Sequence, residues 1–136
     1  MKVKSRPGKP DIIVRYDIAG RVYDVNDGQK VTRYGYDRIG RVAQVTNQES
    51  RVVKYEYDKM GRRTKLTYPD NSKVKYQYDS LSRLTYIRDD SNNVLAHYEY
   101  DELSRRRRLT LGNDANAVYS YNIGDRLTKL DNKISA

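Results

Sequence analysis

The stretch Tyr55-Glu56-Tyr57-Asp58-Lys59-Met60-Gly61-Arg62 decides the fold, because the rest of the chain repeats it. The pattern reads tyrosine, any residue, tyrosine, aspartate, two residues, glycine and arginine. One further copy and a partial first copy precede this stretch, and three copies follow it. The second tyrosine of the units recurs at positions 16, 36, 57, 78, 100 and 121. Such regular repetition predicts an architecture in which each unit packs against its neighbours.

The residues that lead into each motif have the period of a β-strand. Val53, Tyr55 and Tyr57 alternate with Lys54 and Glu56. One face of the segment is therefore aliphatic and aromatic, and the other is polar. A helix would need apolar residues three and four positions apart, so the pattern excludes one here.

The Asp-x-x-Gly phrase predicts the turn that follows. Asp58 can accept hydrogen bonds from backbone amides ahead of it, and Gly61 can adopt positive φ. We expect a three-residue hairpin loop with a bulge, in which Asp58 lies beside Arg62; a four-residue loop would instead pair Tyr57 with Arg62. In the last three units the glycine is replaced, which predicts strained turns or another turn type at Ser82, Ser104 and Asp125.

A return strand is predicted after each arginine. Four residues beyond the arginine the six units carry aliphatic residues that we expect to be buried: Val25, Val45, Leu66, Ile87, Leu109 and Leu130. Thr64, Thr85 and Thr128 fill another repeated slot, as β-branched residues should. Turn compositions such as Pro69-Asp70-Asn71-Ser72 end these strands. Each unit thus reads as strand, tight turn, strand and looser turn, which gives about twelve short antiparallel strands.

Composition limits the chain to one domain of 136 residues. There are 14 Tyr but no Cys, Phe or Trp, and 11 of the tyrosines sit in the repeated slots. Disulfides and thiolate metal sites are excluded. Residues 1–10 are basic and contain Gly and Pro, so we expect a flexible leader there and a repeat domain over residues 11–136. Neither a signal peptide nor a membrane span is evident.

The net charge of +9 raises the alternative of a polyanion partner. Arg105-Arg106-Arg107-Arg108 is the most basic run, but it falls on a return strand whose alternate residues face opposite sides. The bulged register would put Glu99 opposite Arg107. Arg63 and Arg106 fall where other units carry aliphatic residues, which indicates either a wet face or arginine stems lying over neighbouring tyrosine rings.

The repeated Tyr-x-Tyr-Asp-x-x-Gly-Arg motif, at about 21-residue spacing from Ile12 onward, resembles the YD repeat of the RHS (rearrangement hotspot) family. The shell-forming components of toxin complexes and the teneurins are similar. The resemblance implies an all-β fold in which tandem hairpins form a twisted, spiralling open sheet. It also implies a scaffold that has no catalytic activity and no cofactor, and an extracellular or cell-surface location.

The residues that we assign to the repeat are structural: Tyr16, Asp17, Gly20, Arg21, Tyr34, Tyr36, Asp37, Gly40, Arg41, Tyr55, Tyr57, Asp58, Gly61, Arg62, Tyr76, Tyr78, Asp79, Arg83, Tyr98, Tyr100, Asp101, Arg105, Tyr119, Tyr121 and Arg126. We expect Tyr55 and Tyr57 to pack on the tyrosine pairs of the units before and after them. Six units are too few to close a shell, and no counterpart of the family's C-terminal core segment is seen. The terminal units lack polar caps. The chain should therefore continue in a larger RHS-type protein or associate with itself through its edge strands, into a fibre or as part of a shell.

Catalytic groups are sparse. His97 is the only histidine and lies on the polar face of a strand with no nucleophile or second histidine, so we interpret it as structural or exposed. Asp89 and Asp90 belong to a turn. No metal cluster or phosphate loop is present in the sequence. The alternative to a structural building block is a module that binds carbohydrate or a polyanion through its Tyr and Arg rows.

Overall fold

A computed structural model describes residues 1–133, apart from the side chains of residues 5 and 6. Within that range the chain forms one open, antiparallel sheet in which all thirteen strands lie in sequence order. The strands are β1 Lys2–Arg6, β2 Lys9–Tyr16, β3 Val22–Asn26, β4 Val31–Tyr36, β5 Val42–Thr46, β6 Val52–Tyr57, β7 Arg63–Thr67, β8 Lys73–Tyr78, β9 Leu84–Asp89, β10 Val94–Tyr100, β11 Arg106–Leu111, β12 Asn116–Tyr121 and β13 Leu127–Lys133.

The predicted all-β fold of tandem hairpins is confirmed. β2 and β3 form the first YD hairpin, and each later pair of strands forms the next, up to β12 and β13. Residues 1–133 contain no helix that could cross a membrane. Positions 134–136 of the predicted repeat domain lie outside the described residues.

The N-terminal segment, for which the sequence predicts a leader, forms a strand. β1 pairs antiparallel with β2, so that Lys2 lies opposite Val14 and Lys4 opposite Ile12. Gly8 has a φ of 69° in the turn between the two strands. The turn and the β-compatible run after Met1 thus add a thirteenth strand to the twelve of the repeats.

The tight turn has the predicted bulged geometry. Gly61 N–H donates to the carbonyl of Asp58 at 3.1 Å, and Asp58 N–H donates to the carbonyl of Arg62 at 2.9 Å. Gly61 has a φ of 82°. Asp58 Oδ1 accepts the N–H groups of Met60 and Arg62, both at 2.9 Å. The aspartate therefore orders the loop and the glycine closes it, as the sequence predicts.

The units without the glycine keep this turn instead of changing its type. Ser82, Ser104 and Asp125 have φ values of 64°, 63° and 60°. Each donates its backbone N–H to the carbonyl of the residue three positions earlier, as Gly61 does. Of the two expected outcomes, the structure shows the unchanged turn with a side chain in the left-handed region, which costs backbone energy.

The turns at the other end of the strands are tighter than expected. Ser50, Asn71, Asn92 and Asp114 also have positive φ, between 58° and 69°, and make the same pair of backbone hydrogen bonds. Asparagine and aspartate tolerate this region better than most residues. Most of these connections are therefore bulged three-residue loops as well.

Each YD hairpin contains a second bulge that the sequence analysis missed. Tyr57 pairs with Arg63, but Glu56 pairs with Lys65, so that Thr64 is an extra residue on the return strand. The predicted pairing of Glu99 with Arg107 is wrong for this reason. Arg107 is the extra residue in its unit, and Glu99 lies opposite Arg108.

The expected burial of the six aliphatic residues holds only at Leu66, which is 9% exposed. Leu130 on the edge strand is 47% exposed, and Val25, Val45, Ile87 and Leu109 are half-buried. Ala96 is the other buried apolar residue of the described part of the chain. Because the described strands form a single layer, neighbouring strands can cover these side chains only in part.

Candidate functional site

The repeated feature with the most developed geometry is the contact between consecutive units, which we call the joint. In the joint between the second and third units, the Tyr57 hydroxyl donates to the Val42 carbonyl at 2.7 Å. Val42 begins the return strand of the preceding unit, one residue before that unit's bulge. The same bond recurs at 2.6–2.9 Å in the other four joints, from Tyr36 to Val22, Tyr78 to Arg63, Tyr100 to Leu84 and Tyr121 to Arg106.

The motif arginine supplies the second half of the joint. The Arg41 guanidinium lies 4.5 Å from the centroid of the Tyr57 ring. Its Nε donates to Asp37 Oδ2 at 2.7 Å, and its Nη1 donates to the Asp58 carbonyl at 3.0 Å. One arginine therefore binds its own turn, the aromatic face of the next unit and the backbone of the next turn.

The other joints repeat this arrangement. Arginine–ring distances of 4.5–4.8 Å are found for Arg21 over Tyr36, Arg62 over Tyr78, Arg83 over Tyr100 and Arg105 over Tyr121. The five pairs that we call the Asp–Arg clamps have Nε–Oδ2 distances of 2.7–2.8 Å: Asp17–Arg21, Asp37–Arg41, Asp58–Arg62, Asp79–Arg83 and Asp101–Arg105. The motif predicts pairing of the arginine within its own turn, but it contains no signal for the contact with the next unit.

We expected tyrosines to pack directly on tyrosines, but at two joints an arginine lies between the first tyrosines of neighbouring units. Arg63 lies 4.9 Å from the Tyr55 ring and 6.0 Å from the Tyr76 ring. Arg106 stands in the same way between Tyr98 and Tyr119. Of the two expectations for these arginines, a wet face or stems over neighbouring rings, the structure shows the contact with the rings, which is made by the guanidinium groups. A guanidinium can fill the gap between rings two strands apart, which a ring-to-ring contact would not span.

The clamps favour the ionised form of their aspartates. At Asp58 desolvation is the largest single influence and opposes ionisation, but the hydrogen bonds from the Arg62 side chain and backbone, the Arg62 charge and the Met60 N–H act in the other direction, and the pKa is lowered. Asp37, Asp79 and Asp101 show the same balance and a lowered pKa. At Asp17 the Arg21 side-chain hydrogen bond is the main cause of the lowered pKa.

The residues that replace glycine strengthen the joint. Ser82 Oγ accepts a hydrogen bond from Arg62 Nη1 at 3.1 Å, and Ser104 Oγ accepts one from Arg83 Nη1 at the same distance. Asp125 Oδ1 lies 2.7 Å from Arg105 Nη1. The side chain that strains the turn thus gains a contact with the preceding unit.

The two end units depart from the pattern. Tyr16 has no preceding YD unit in this chain, and its ring is covered by Lys2 of β1, whose Nζ lies 5.7 Å from the ring centroid. In the last unit Asn122 replaces the aspartate. Its Oδ1 accepts the N–H groups of Gly124 and Arg126 at 2.9 and 3.0 Å, but no clamp within residues 1–133 holds the Arg126 side chain. The turn therefore survives the loss of the ion pair.

The run Arg105–Arg108 serves four separate roles. Arg105 forms a clamp, and Arg106 lies between two tyrosine rings. Arg107 is the bulged residue, and Arg108 Nη1 lies 3.9 Å from Glu99 Oε1. These positions confirm that the run forms no four-arginine stripe.

The polar face of the sheet, opposite the motif tyrosines, holds two clusters that were not predicted from the sequence. Asp24 is 3% exposed and lies between Arg15, at 2.7 Å, and Arg33, at 3.7 Å. The three residues are cross-strand partners, so the alternation of charges on the polar face was the available signal. His97 stacks on Tyr86 with ring centroids 4.2 Å apart, in keeping with a structural role.

Groups for catalysis or metal binding are not brought together in the part of the chain that the structure describes. No cluster of three metal-ligating side chains occurs among these residues. A shallow depression at the edge of the sheet is lined by Arg51, Tyr68, Pro69, Asp70 and Ser72. The Ser72 hydroxyl donates to Asp70 Oδ1 at 2.7 Å, but the lining residues include no histidine or lysine that could serve as a general base.

Comparison with known proteins agrees with this geometry. The sequence model of the Teneurin YD-shell family matches residues 9–95. No curated protein sequence matches the chain. Among solved structures, the TcdB2-TccC3-Cdc42 complex aligns with a TM-score of 0.74 and 16% identity over 86% of this chain and 7% of that one.

Two further structures give the same picture. TcdB2-TccC3 aligns with a TM-score of 0.72 and 17% identity over 86% of this chain and 7% of that one. The Photorhabdus luminescens Tc holotoxin pore aligns with a TM-score of 0.64 and 16% identity over 92% of this chain and 9% of that one. The chain thus spans less than a tenth of the length of these three solved structures, with which it shares the fold. Together with the family match, the shared fold shows that it is a structural β-sheet building block.

Proposed function

Because this chain belongs to the Teneurin YD-shell family, we propose that it is a non-catalytic wall segment whose repeats extend one continuous sheet. The extension takes place by strand pairing at β13, either with a following unit in a larger RHS-type chain or with a second copy. Growth of this kind needs no interactions beyond those of the joint, which recurs five times between the six units.

The observation that carries the proposal is a half-built joint at β13. Arg126 and the Leu127 carbonyl occupy the positions that receive a tyrosine ring and hydroxyl in the other units. No tyrosine of residues 1–133 reaches either group. Leu127 and Leu130 are 51% and 47% exposed on the same strand. An incoming Tyr-x-Tyr strand would cover both leucines and complete the joint.

The two edge strands, β1 and β13, differ in whether the groups of the joint are already occupied. β1 carries Lys2 and Lys4, and Lys2 already covers the Tyr16 ring. β13 also carries two lysines, Lys129 and Lys133, but neither of them lies over a motif tyrosine ring among the described residues, so the arginine and carbonyl of the joint at β13 stay open to an incoming strand. The free edge suited to growth is therefore the C-terminal one.

Sedimentation velocity over a range of protein concentrations tests the proposal for the isolated chain. We expect species larger than a monomer that increase with concentration. Proline at position 129 or at position 130 provides the matched pair, because N–H groups of adjacent strand residues point to opposite sides. One of these variants should lose association with its circular dichroism intact, and the other should disturb the β12–β13 hairpin. Association unchanged in a folded proline variant would contradict growth at β13.

A further inference from the structure

The turn edge of the sheet carries a row of exposed aliphatic side chains. They are Ile18, Ile39, Met60, Leu81, Leu103 and Ile123, which we call the tip row. The four central members are 65–74% exposed, and the two outer ones are fully exposed. Each YD turn of the chain contributes one.

The turn itself does not require these side chains. Asp58, Gly61 and Arg62 make its backbone and side-chain hydrogen bonds, and Met60 contributes only its N–H. The turns at the other end of the strands have polar tips, such as Glu49 and Ser91. Aliphatic residues gathered at one edge of the sheet and exposed in every unit indicate a contact surface.

The spacing of the tip row restricts what can cover it. Consecutive tips are separated by two strands, which corresponds to about 9.6 Å. A surface with the same spacing of apolar groups fits the row best, and a second copy of this chain presents one.

The charges beside the row are arranged for such a copy. The residue that precedes each central tip is Arg38, Lys59, Ser80 or Glu102. All four are exposed, and no ion pair within the described residues engages the three charged ones. One half of the row is therefore basic, and the other half contains the acid.

A two-fold axis between the third and fourth units relates these two halves. It places Arg38 opposite Glu102 of the other copy, and Ile39 opposite Leu103. The central pair is Met60 against Leu81. The outermost tips, Ile18 and Ile123, also face each other. The row is thus complementary to itself in both apolarity and charge when it is reversed.

We propose that the tip row is an isologous interface through which two copies of this chain dock edge to edge in antiparallel orientation. The aliphatic tips form its centre, and two symmetry-related Arg38–Glu102 pairs flank it. The interface is closed by its symmetry, so it yields a dimer and no longer assembly. It uses the turn edge and not strand β13, so it is separate from the extension proposed above.

The test measures the dimer dissociation constant by sedimentation equilibrium of the chain. Replacing both central tips, Met60→Lys with Leu81→Lys, should weaken the dimer at least tenfold, since it sets lysines against lysines at the centre. The tips are exposed and the turn bonds do not use their side chains, so circular dichroism should remain unchanged. Lysine placed at Ser91, on the polar turn edge, is the matched control and should leave the constant unchanged.

Exchanging the two charges provides a second test. Recovery of dimer affinity in the double variant could not result from damage to the fold. Arg38→Glu or Glu102→Arg alone sets like charges against each other and should weaken the dimer by roughly tenfold. The double variant R38E/E102R restores opposite charges and should recover most of the affinity. A monomer at all concentrations, indifference to the central lysines, or a double variant no better than the single ones would each overturn the proposal.

The two associations can be separated with the proline variant of β13 that stays folded. It removes open-ended growth and leaves the tip-row dimer in place. The lysine tip variant has the opposite effect, so failure of one proposal does not conceal the other.

Discussion

The hydroxyl bond across the joint can be isolated by replacing Tyr57 with phenylalanine. The substitution removes the 2.7 Å bond from the hydroxyl to the Val42 carbonyl. It keeps the ring beneath Arg41, whose guanidinium lies 4.5 Å from the ring centroid. The change therefore tests the hydrogen bond and leaves the cation–π contact nearly intact.

The expected cost follows from the net value of one such bond. A protein hydrogen bond contributes about 0.5–1.5 kcal/mol to the free energy of unfolding, and Val42 is half-buried, so water can replace part of the loss. We expect Tyr57→Phe to cost about 1 kcal/mol. With a urea slope of ~2 kcal/mol per M, the midpoint should fall by ~0.5 M.

Tyr55→Phe in the same strand is the matched control. Tyr55 also lies under an arginine, at 4.9 Å from Arg63, but its hydroxyl makes no hydrogen bond with another described residue. Its midpoint should stay within about 0.2 M of the parent, since the expected change is below ~0.5 kcal/mol. Far-UV circular dichroism follows both transitions. Equal shifts in the two variants would refute the role that we assign to the hydroxyl.

Three further predictions follow from the turn and the clamp. Gly61→Ala should lower the free energy of unfolding by about 1 kcal/mol, because the residue has a φ of 82°; urea denaturation measures it. Arg41→Lys should cost about 0.5–1 kcal/mol through the lost stacking on Tyr57 and the lost fork geometry, with Lys59→Arg at a turn tip as a neutral control. Lowered pKa values of the clamp aspartates predict that stability is constant above about pH 5. It should fall as pH drops from the ordinary value of 3.8 through the lower folded pKa, because the unfolded carboxyls then bind protons first; urea midpoints from neutral to strongly acidic pH check this.

The repeat, the strands and the turn could be predicted because their causes are local. Val53, Tyr55 and Tyr57 alternate with polar residues, and Asp58 with Gly61 specifies a bulged loop within four positions. The tyrosine hydroxyl bonds could not be predicted in this way. Their acceptor is a backbone carbonyl of another unit, and it lies directly before the second bulge, which the sequence analysis missed.

The second bulge, in the return strand of each unit, can nevertheless be detected in the sequence. Val42 and Val45 are both apolar and three positions apart, whereas strict alternation would put them on opposite faces. Leu84 and Ile87 repeat this spacing. An odd interval between two apolar residues on one face of a return strand requires an extra residue between them. In the structure this extra residue follows Val42 and Leu84 directly, so counting the interval would have revealed the bulge.

The exchange of glycine for serine or aspartate shows where the stability of a unit originates. At Ser82 the left-handed backbone costs energy within the turn, yet the same side chain accepts a hydrogen bond from Arg62 of the preceding unit. Gly61 has no such strain, and there Arg41 binds the Asp58 carbonyl at 3.0 Å, a bond that is 3.5 Å long from Arg62 to Asp79 in the serine unit. A turn that would be unfavourable in an isolated hairpin is therefore acceptable beside a neighbour that contacts it. Because each arginine reaches forward to the following unit, the benefit of such a substitution belongs to the joint and not to the unit that carries it. The stability of this sheet therefore depends on contacts between neighbouring units. A unit separated from its predecessor should lose more folding free energy than the hydrogen bonds within that unit account for.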